Sequence, residues 1–209
     1  TQVAARLSAE MHVEIPVGAV FDSPSVRQMA AVADSVGPSR RPRLVARGSG
    51  HSAPLSPVQR GMWLINRADP ASPAYNVAMA LRLSGQLDTG AVREAIEDLV
   101  DRHESLRTKY PLIDGEPTQV VLDREEALAL LERRVVDVDG DPISVIREFT
   151  SRGFDVTSAP PLRMLLLRLE DTEHILVFVV HHITADGVSM LPLASDVMTA
   201  YSARATGKR

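Results

Sequence analysis

The spacing of hydrophobic positions changes near residue 55, and this change divides the chain into two parts. Upstream, apolar residues recur at intervals of three and four, as on one face of a helix. Downstream, helical stretches alternate with short runs of Val, Ile and Leu that are typical of strands. The pattern predicts a small helical unit over residues 1–36, a linker over 37–52 and a mixed α/β unit over 53–209.

The helical unit is short and carries a single apolar stripe. Pro16 ends the first helix, and Ser23 with Pro24 predicts the cap and first turn of the last one. No capping residue precedes Thr1, so we expect the chain to begin inside a domain that lacks a partner helix. One helical face of the first helix holds Val3, Ala4, Leu7 and Met11.

Residues 37–52 are rich in Gly, Pro, Ser and Arg and have no periodicity, which predicts a linker. Its arginines at positions 40, 41, 43 and 47 could contact an acidic partner, although a solvated tether is the simpler interpretation.

In the mixed unit, residues 170–172 separate two strand patterns and predict an antiparallel hairpin. Ser189 is the expected cap of the last helix, because it places Pro192 in the tolerated first turn. Helices are predicted over 57–66, after Asp88, from Pro142 and after Ser189. Strands are predicted over 77–83, 107–110, 119–122, 134–138, 163–169 and 173–182.

The most informative segment is residues 181–187, HHITADG, which directly follows the apolar run 175–180. Successive strand residues point to opposite faces, so His181 and His182 cannot share one pocket while the strand continues. Imidazole titrates near neutral pH and can act as a base or a hydrogen-bond partner. The spacing alone does not decide between one catalytic histidine and two structural ones.

The amino-acid composition argues against several classes of function. The chain has 209 residues, a formal net charge of -4, 4% aromatic residues and no cysteine. Mild acidity and few aromatics argue against nucleic-acid binding, and no apolar run approaches the length of a membrane span. A chain without cysteine forms no disulfide and is expected in the reducing cytoplasm. It also lacks the residue spacing of a metal site, so we expect no metal.

The mixed unit resembles the N-terminal lobe of a condensation domain of non-ribosomal peptide synthetases. Three motifs similar to those of that family occur in order: SPVQRGMWL at residues 56–64, RHESLRT at 102–108 and HHITADG at 181–187. Residues 1–36 resemble the C-terminal helices of a peptidyl carrier domain, whose phosphopantetheine-bearing serine would lie upstream of Thr1.

This resemblance implies the fold class, α/β: a small helical-bundle remnant of a carrier, followed by one lobe like that of chloramphenicol acetyltransferase. The second lobe of the family would be missing, and an isolated fragment would be inactive. In the family, a tunnel between the two lobes admits 4'-phosphopantetheine arms from a donor and an acceptor carrier. The acceptor amine attacks the donor thioester and forms an amide. The implied partners are these carriers, the remaining lobe and adjacent synthetase domains.

The resemblance also assigns roles to residues. It implies that His182 faces the tunnel as the catalytic residue, whereas His181 and Asp186 are structural. Gly187 would leave room for the reacting centre, and a backbone N–H near it could act as an oxyanion donor. Gly61 stands where the first motif usually has arginine, which predicts a widened tunnel wall.

Two alternatives stay open beside peptide-bond formation: epimerisation, which shares the third motif, and a non-catalytic module that docks a carrier. For the remaining candidates we expect structural roles. Trp63 is predicted in the core and residues 102–104 as a helix end with local pairing, while His12 and His174 are predicted at the surface.

Overall fold

The computed structural model describes residues 2–37 and 52–207. The chain forms two compact units, Thr1–Gly48 and Ser49–Arg209, and each is described by itself. Most of the predicted linker, including its arginines and His51, lies outside the described residues. Ser52 was predicted as the last linker residue, but it pairs with Val120 at the start of a strand.

The first unit contains three helices, α1 (Gln2–Met11), α2 (Ala19–Asp22) and α3 (Val26–Ser35). The prediction that Ser23 and Pro24 begin α3 is wrong, because Ser25 is the N-cap. Its hydroxyl accepts a hydrogen bond from the Gln28 amide, and the Gln28 side chain accepts one from the Ser25 amide. The core of the unit holds Ala4, Ile15, Met29 and Ala33.

An apolar groove of about 410 Å³ opens beside this core, lined by residues that include Val3, Leu7 and Met11 of α1 and Val26 and Met29 of α3. Part of the predicted apolar stripe of α1 therefore stays exposed, with Val3 at 55%.

The second unit combines helices and strands. Its helices are α4 (Pro57–Ala68), α5 (Thr89–Arg102), α6 (Arg124–Leu130), α7 (Pro142–Thr150) and α8 (Met190–Ala205), and a 3-10 turn spans Glu104–Arg107. Its strands are β1 (Ser52–Pro54), β2 (Asn76–Ser84), β3 (Thr108–Lys109), β4 (Leu112–Ile113), β5 (Glu116–Val121), β6 (Glu132–Asp137), β7 (Leu162–Glu170) and β8 (Glu173–His181). The predicted helices are present, whereas β1, β4 and α6 were not predicted.

The main sheet has the order β2-β8-β7-β6. β7 and β8 form the predicted antiparallel hairpin, with Glu170 opposite Glu173. β2 pairs antiparallel with the other edge of β8. β6 runs parallel to β7, and α7 lies in the crossover that a parallel pair requires.

Strand β8 is buried on both faces. Leu176, Phe178 and Val180 pack in one cluster with residues of α5 and α8. Val177 and Val179 pack in a second cluster with residues of α4 and α7. Burying each such side chain contributes on the order of 2 kcal/mol. The sheet is therefore the middle of three layers, and the histidine pair lies at its end.

His174 was predicted at the surface, and this is wrong: it is only 3% exposed. The physical reason is the alternation of β8, which places position 174 on the same buried face as Leu176 and Phe178. Its Nδ1 atom is a buried nitrogen without a hydrogen-bond partner. His12 is exposed as predicted.

A smaller sheet centres on β5, which pairs antiparallel with β1, β3 and β4. Asp114 and Gly115 join β4 to β5 with φ values of 52° and 82°, the turn conformation that an Asp-Gly pair favours. Arg107 was predicted to begin a strand but ends the 3-10 turn instead, so β3 is shorter than expected.

Candidate functional site: the histidine turn after β8

His181 is the last residue of β8 and is only 1% exposed. Its Nδ1 accepts a hydrogen bond from the backbone N–H of Ile183 at 3.1 Å. The ring lies 5.8 Å from that of Tyr75 and 6.4 Å from that of Phe154, which meets it edge-on at 86°. These contacts fix the imidazole inside the core of the unit.

Burial lowers the pKa of His181 to about 4, and the charge of the neighbouring His182 contributes in the same direction. The ring is therefore neutral near pH 7, with its Nδ1 atom occupied as an acceptor. A buried, neutral and hydrogen-bonded imidazole suits a structural role better than proton transfer.

His182 lies just beyond the strand and is exposed. Its backbone N–H donates to the carbonyl of Tyr75 at 2.8 Å, which extends the β2–β8 pairing by one residue. The two neighbouring imidazoles therefore differ in environment, as strand alternation predicts: His181 is buried and His182 is exposed.

The turn that follows His182 is held by two side chains from distant parts of the unit. Gln59 Nε2 donates to the carbonyl oxygen of Ile183 at 3.1 Å, and Tyr110 OH donates to the same oxygen at 3.3 Å. Tyr110 OH also lies 3.2 Å from Thr184 Oγ1. Gln59 belongs to the first motif, so this contact joins the first and third motifs in space.

Asp186 contacts Ser189 at the start of α8. Its carboxylate accepts hydrogen bonds from the Ser189 amide at 2.9 Å and from the Ser189 hydroxyl at 2.6 Å, and Ser189 Oγ accepts one from the Asp186 amide at 3.2 Å. These bonds lower the pKa of Asp186, with a smaller contribution from the charge of His182. Asp186 is thus a carboxylate that braces the entry into the helix.

The two candidate glycines both lie in open space. A Cβ atom built on Gly61 or on Gly187 meets no atom within 4 Å among the described residues. Gly61 is two residues from Gln59, or about 200° around the helix. It therefore lies on an exposed face of α4 beside Val58 and Ile65, which are 69% and 50% exposed.

The second motif links two helices. His103 Nε2 lies 2.7 Å and Arg102 Nε 3.2 Å from Asp196 Oδ2 on α8. The prediction of purely local pairing is wrong for these two residues, because the close packing of α5 on α8 supplies a partner distant in sequence. Glu104 does pair locally, with Arg107 at 3.5 Å.

The sequence did not point to Tyr110, Asn66 or the supporting role of Gln59. Trp63 is buried as predicted, and its indole N–H donates to the Tyr110 carbonyl at 2.7 Å. Asn66 is 3% exposed and binds the backbone of residues 154 and 156. For Gln59 and Asn66, the sequence did contain a usable pattern: Gln59, Trp63 and Asn66 recur at helical spacing and so lie on one face of α4.

Across residues 2–37 and 52–207, no group of three or more His, Asp or Glu side chains is arranged to hold a metal ion. Within the same residues, every helix is too short or too polar to cross a membrane.

Comparison with known proteins identifies the family. The sequence model of the condensation domain matches residues 49–209. The isonitrile lipopeptide synthase of Mycobacterium tuberculosis is 43% identical over 169 residues, which cover 79% of this chain and 7% of that protein. The dimodular nonribosomal peptide synthase of Bacillus subtilis is 36% identical over 208 residues, which cover 99% of this chain and 9% of that protein. The chain thus spans less than a tenth of either relative.

Among solved structures, the complex of the X-domain and OxyB from teicoplanin biosynthesis contains a similar chain. The TM-score is 0.69 at 32% identity, over 82% of this chain and 37% of that chain. The predicted α/β lobe is confirmed by this similarity and by the sheet described above. The family match over more than half of the sequence shows that the chain belongs to the condensation domain family of non-ribosomal peptide synthetases.

Proposed function

We propose that this chain takes part in peptide-bond formation between two carrier-bound substrates, with His182 as the catalytic residue. The observation that supports this most strongly is the contrast at the end of β8, where His182 is exposed while His181 is buried. An accessible imidazole on rigid backbone is what a substrate arriving on a long arm needs.

In the proposed reaction, the amine of the acceptor attacks the carbonyl carbon of the donor thioester. A carbon–nitrogen bond forms, the carbon–sulfur bond breaks, and the donor arm leaves as a thiol. The thioester supplies an acyl group that is already activated. The His182 imidazole accepts a proton from the acceptor nitrogen and passes it to the departing sulfur, and general base catalysis of this kind is worth typically 10²–10⁴ in rate.

His182 could instead act mainly by positioning the amine, and kinetics with several acceptors separate the two roles. Proton transfer predicts a large loss of turnover for His182→Ala with every nucleophile. Positioning predicts a modest loss that shrinks as the amine becomes more basic.

The neighbouring residues support this reaction indirectly. His181 anchors the end of the strand, and Asp186 braces α8 through Ser189. The open space at Gly187 supports an approach of the reacting centre at this position, and a backbone N–H near Gly187 is the proposed oxyanion donor.

For the organisation of the chain, we propose a carrier remnant at residues 1–36, a linker at 37–52 and the N-terminal lobe of a condensation domain at 53–209. The alignment with the Bacillus subtilis synthase covers 99% of this chain and so includes the helical unit. The proposed partners are the donor and acceptor carriers, a second condensation lobe and adjacent synthetase domains. We place the protein in the cytoplasm, because its 209 residues include no cysteine.

The chemistry requires 4'-phosphopantetheine on a carrier serine upstream of Thr1 and on the acceptor carrier. The exposed His182 and the open space at Gly187 fit the approach of such an arm.

Gly61 is proposed to widen the wall of the tunnel. The open space around it and the exposed Val58 and Ile65 beside it support this assignment. The test is Gly61→Arg, which should narrow substrate access and lower turnover with bulky donors. Unchanged access and turnover would refute the idea.

A non-catalytic docking module is the second candidate function. It is favoured by one observation, the similarity to a chain of the solved complex of an X-domain with OxyB. Epimerisation, as a third candidate, shares the third motif. The first motif and the residues after Gly187 favour condensation over it.

One experiment distinguishes the three. The complete synthetase that contains this chain is incubated with loaded donor and acceptor carriers, and the products are analysed by mass spectrometry and chiral chromatography. A dipeptide supports condensation, inversion of a stereocentre without a dipeptide supports epimerisation, and carrier binding without either product supports docking.

A further inference from the structure

Two side chains from separate parts of the sequence converge on one backbone oxygen next to the proposed catalytic residue. Gln59 Nε2 and Tyr110 OH lie 3.1 Å and 3.3 Å from the carbonyl oxygen of Ile183, the residue that follows His182. A carbonyl oxygen has two lone pairs, so both donors can be satisfied together.

Tyr110 is a rigid donor. It is 1% exposed, its amide donates to the Val156 carbonyl at 2.8 Å, and its own carbonyl accepts from the Trp63 indole at 2.7 Å. Burial raises the pKa of its phenol, so the hydroxyl keeps its proton. The backbone of Tyr110 is thus fixed at both ends, and its hydroxyl reaches the histidine turn.

Gln59 is fixed in a different way. Its Oε1 accepts a hydrogen bond from the Ser56 amide at 3.0 Å, as part of the capping box that begins α4. Its Nε2 also lies 3.3 Å from Gln119 Oε1, and Gln119 in turn donates to the Pro54 carbonyl at 2.9 Å. The amide group is therefore held between α4, β5 and the turn.

Ile183 itself is restrained at each of its groups. Its N–H donates to His181, its carbonyl accepts from Gln59 and Tyr110, and its side chain is 3% exposed. On the other side, the His182 amide donates to Tyr75. His182 is therefore an exposed side chain on a backbone that is fixed both before and after it.

We propose that Gln59 and Tyr110 are positioning residues that act through Ile183 to hold the His182 imidazole in its reactive orientation. This inference rests on the proposed function, because it has meaning only if His182 acts in turnover. A misplacement of about 1 Å in a reacting group can cost about a hundredfold in rate.

The test uses Tyr110→Phe and Gln59→Glu in the complete synthetase, with loaded carriers. Tyr110→Phe removes only the hydroxyl. Gln59→Glu retains an oxygen for the Ser56 amide but removes the donor to Ile183. The matched control is Tyr201→Phe, which removes a hydroxyl that accepts from the Asp88 amide at 3.2 Å, at the start of α5.

We expect Tyr110→Phe and Gln59→Glu each to lower kcat by about tenfold or more, while KM for the acceptor carrier stays within about twofold of the wild-type value. The control Tyr201→Phe should have the kcat and KM of the wild type. Each substitution is then repeated in the His182→Ala background. A residue that acts through His182 should cause no further loss there, whereas a merely structural residue should cost the same factor in both backgrounds.

Equal losses in both backgrounds, or wild-type kcat for both variants, would overturn the positioning inference while leaving the proposed function intact. Failure of the proposed function would give a different kinetic result from failure of the positioning inference. In that case His182→Ala alone would keep wild-type turnover.

Discussion

The Nδ1 atom of His181 accepts a hydrogen bond from the backbone N–H of Ile183 at 3.1 Å. An imidazole nitrogen can accept only while it carries no proton, so this contact requires the neutral ring. One histidine of the pair is therefore held in a buried structural hydrogen bond, whereas its neighbour His182 is exposed.

Because the buried His181 ring must stay neutral to accept this hydrogen bond, the stability of the folded unit should depend on pH. The pKa of His181 is about 4 in the folded chain, below its ordinary value near 6.5. Between these values the unfolded chain binds more protons, so stability falls as the pH falls from about 6.5 to about 4. The full contribution, about 3 kcal/mol, is present above pH 6.5. Denaturant unfolding followed by the fluorescence of Trp63, the only tryptophan, measures it for this unit.

The matched variant is His181→Asn, which can retain an acceptor for the Ile183 amide but does not titrate. Its stability curve should run parallel to the wild type above pH 6.5 and decline less below it. If wild type and variant lose stability equally between pH 6.5 and pH 4, the assignment of this pH dependence to His181 is wrong.

Gly153 is predicted to tolerate no side chain. A Cβ atom there would lie 2.1 Å from the carbonyl oxygen of Pro70 and 2.5 Å from the carbonyl carbon of Ala71. Since both neighbours are backbone atoms, Gly153→Ala should destabilise the unit by roughly 2–4 kcal/mol. Gly140→Ala is the control, because its Cβ meets nothing within 4 Å and its effect should stay within about 0.5 kcal/mol. Equal Trp63 unfolding midpoints for the two variants would contradict this prediction.

Gly61→Ala should have the opposite effect. Gly61 lies inside α4 with open space around it, and glycine is less favourable than alanine in a helix interior by about 0.5–1 kcal/mol. The free energy of unfolding, measured by denaturant titration, should rise by that amount. A decrease would mean that the position is more crowded than the structure indicates.

Gly187→Ala should lower turnover without changing the stability of the fold. Its Cβ would meet no atom of the described chain within 4 Å, so the unfolding free energy should change by less than about 0.5 kcal/mol. Turnover in the complete synthetase should fall, because the added methyl group occupies space that we assign to the reacting centre. If the Gly187→Ala variant turned over at the wild-type rate with both carriers, the assignment of Gly187 to the site would be wrong.

Local patterns were sufficient to predict the main elements of the fold. The unbroken apolar run of β8 and its short connection to β7 predicted the hairpin, and the Ser56–Gln59 spacing fits the capping box seen in α4. Short elements were missed. β4 has only two residues, and the Asp114–Gly115 pair that closes it was available as a turn signal.

The contacts of the candidate site could be predicted only in part. Strand alternation was enough to separate the environments of His181 and His182. The contacts of Tyr110 and Gln59 with Ile183 span 73 and 124 residues of sequence. Long-range contacts of this kind depend on tertiary packing, and a local pattern cannot reveal them. The pairing of His103 with Asp196 escaped prediction for the same reason.

The most direct test of the central claim is the rate of dipeptide formation by His182→Ala in the complete synthetase, with loaded donor and acceptor carriers. Because His182 is exposed, the variant should fold as the wild type does, and Trp63 unfolding provides that control. We predict that turnover falls by at least about tenfold, and by 10²–10⁴-fold if the imidazole transfers the proton. A folded His182→Ala variant that forms dipeptide at the wild-type rate would contradict the account.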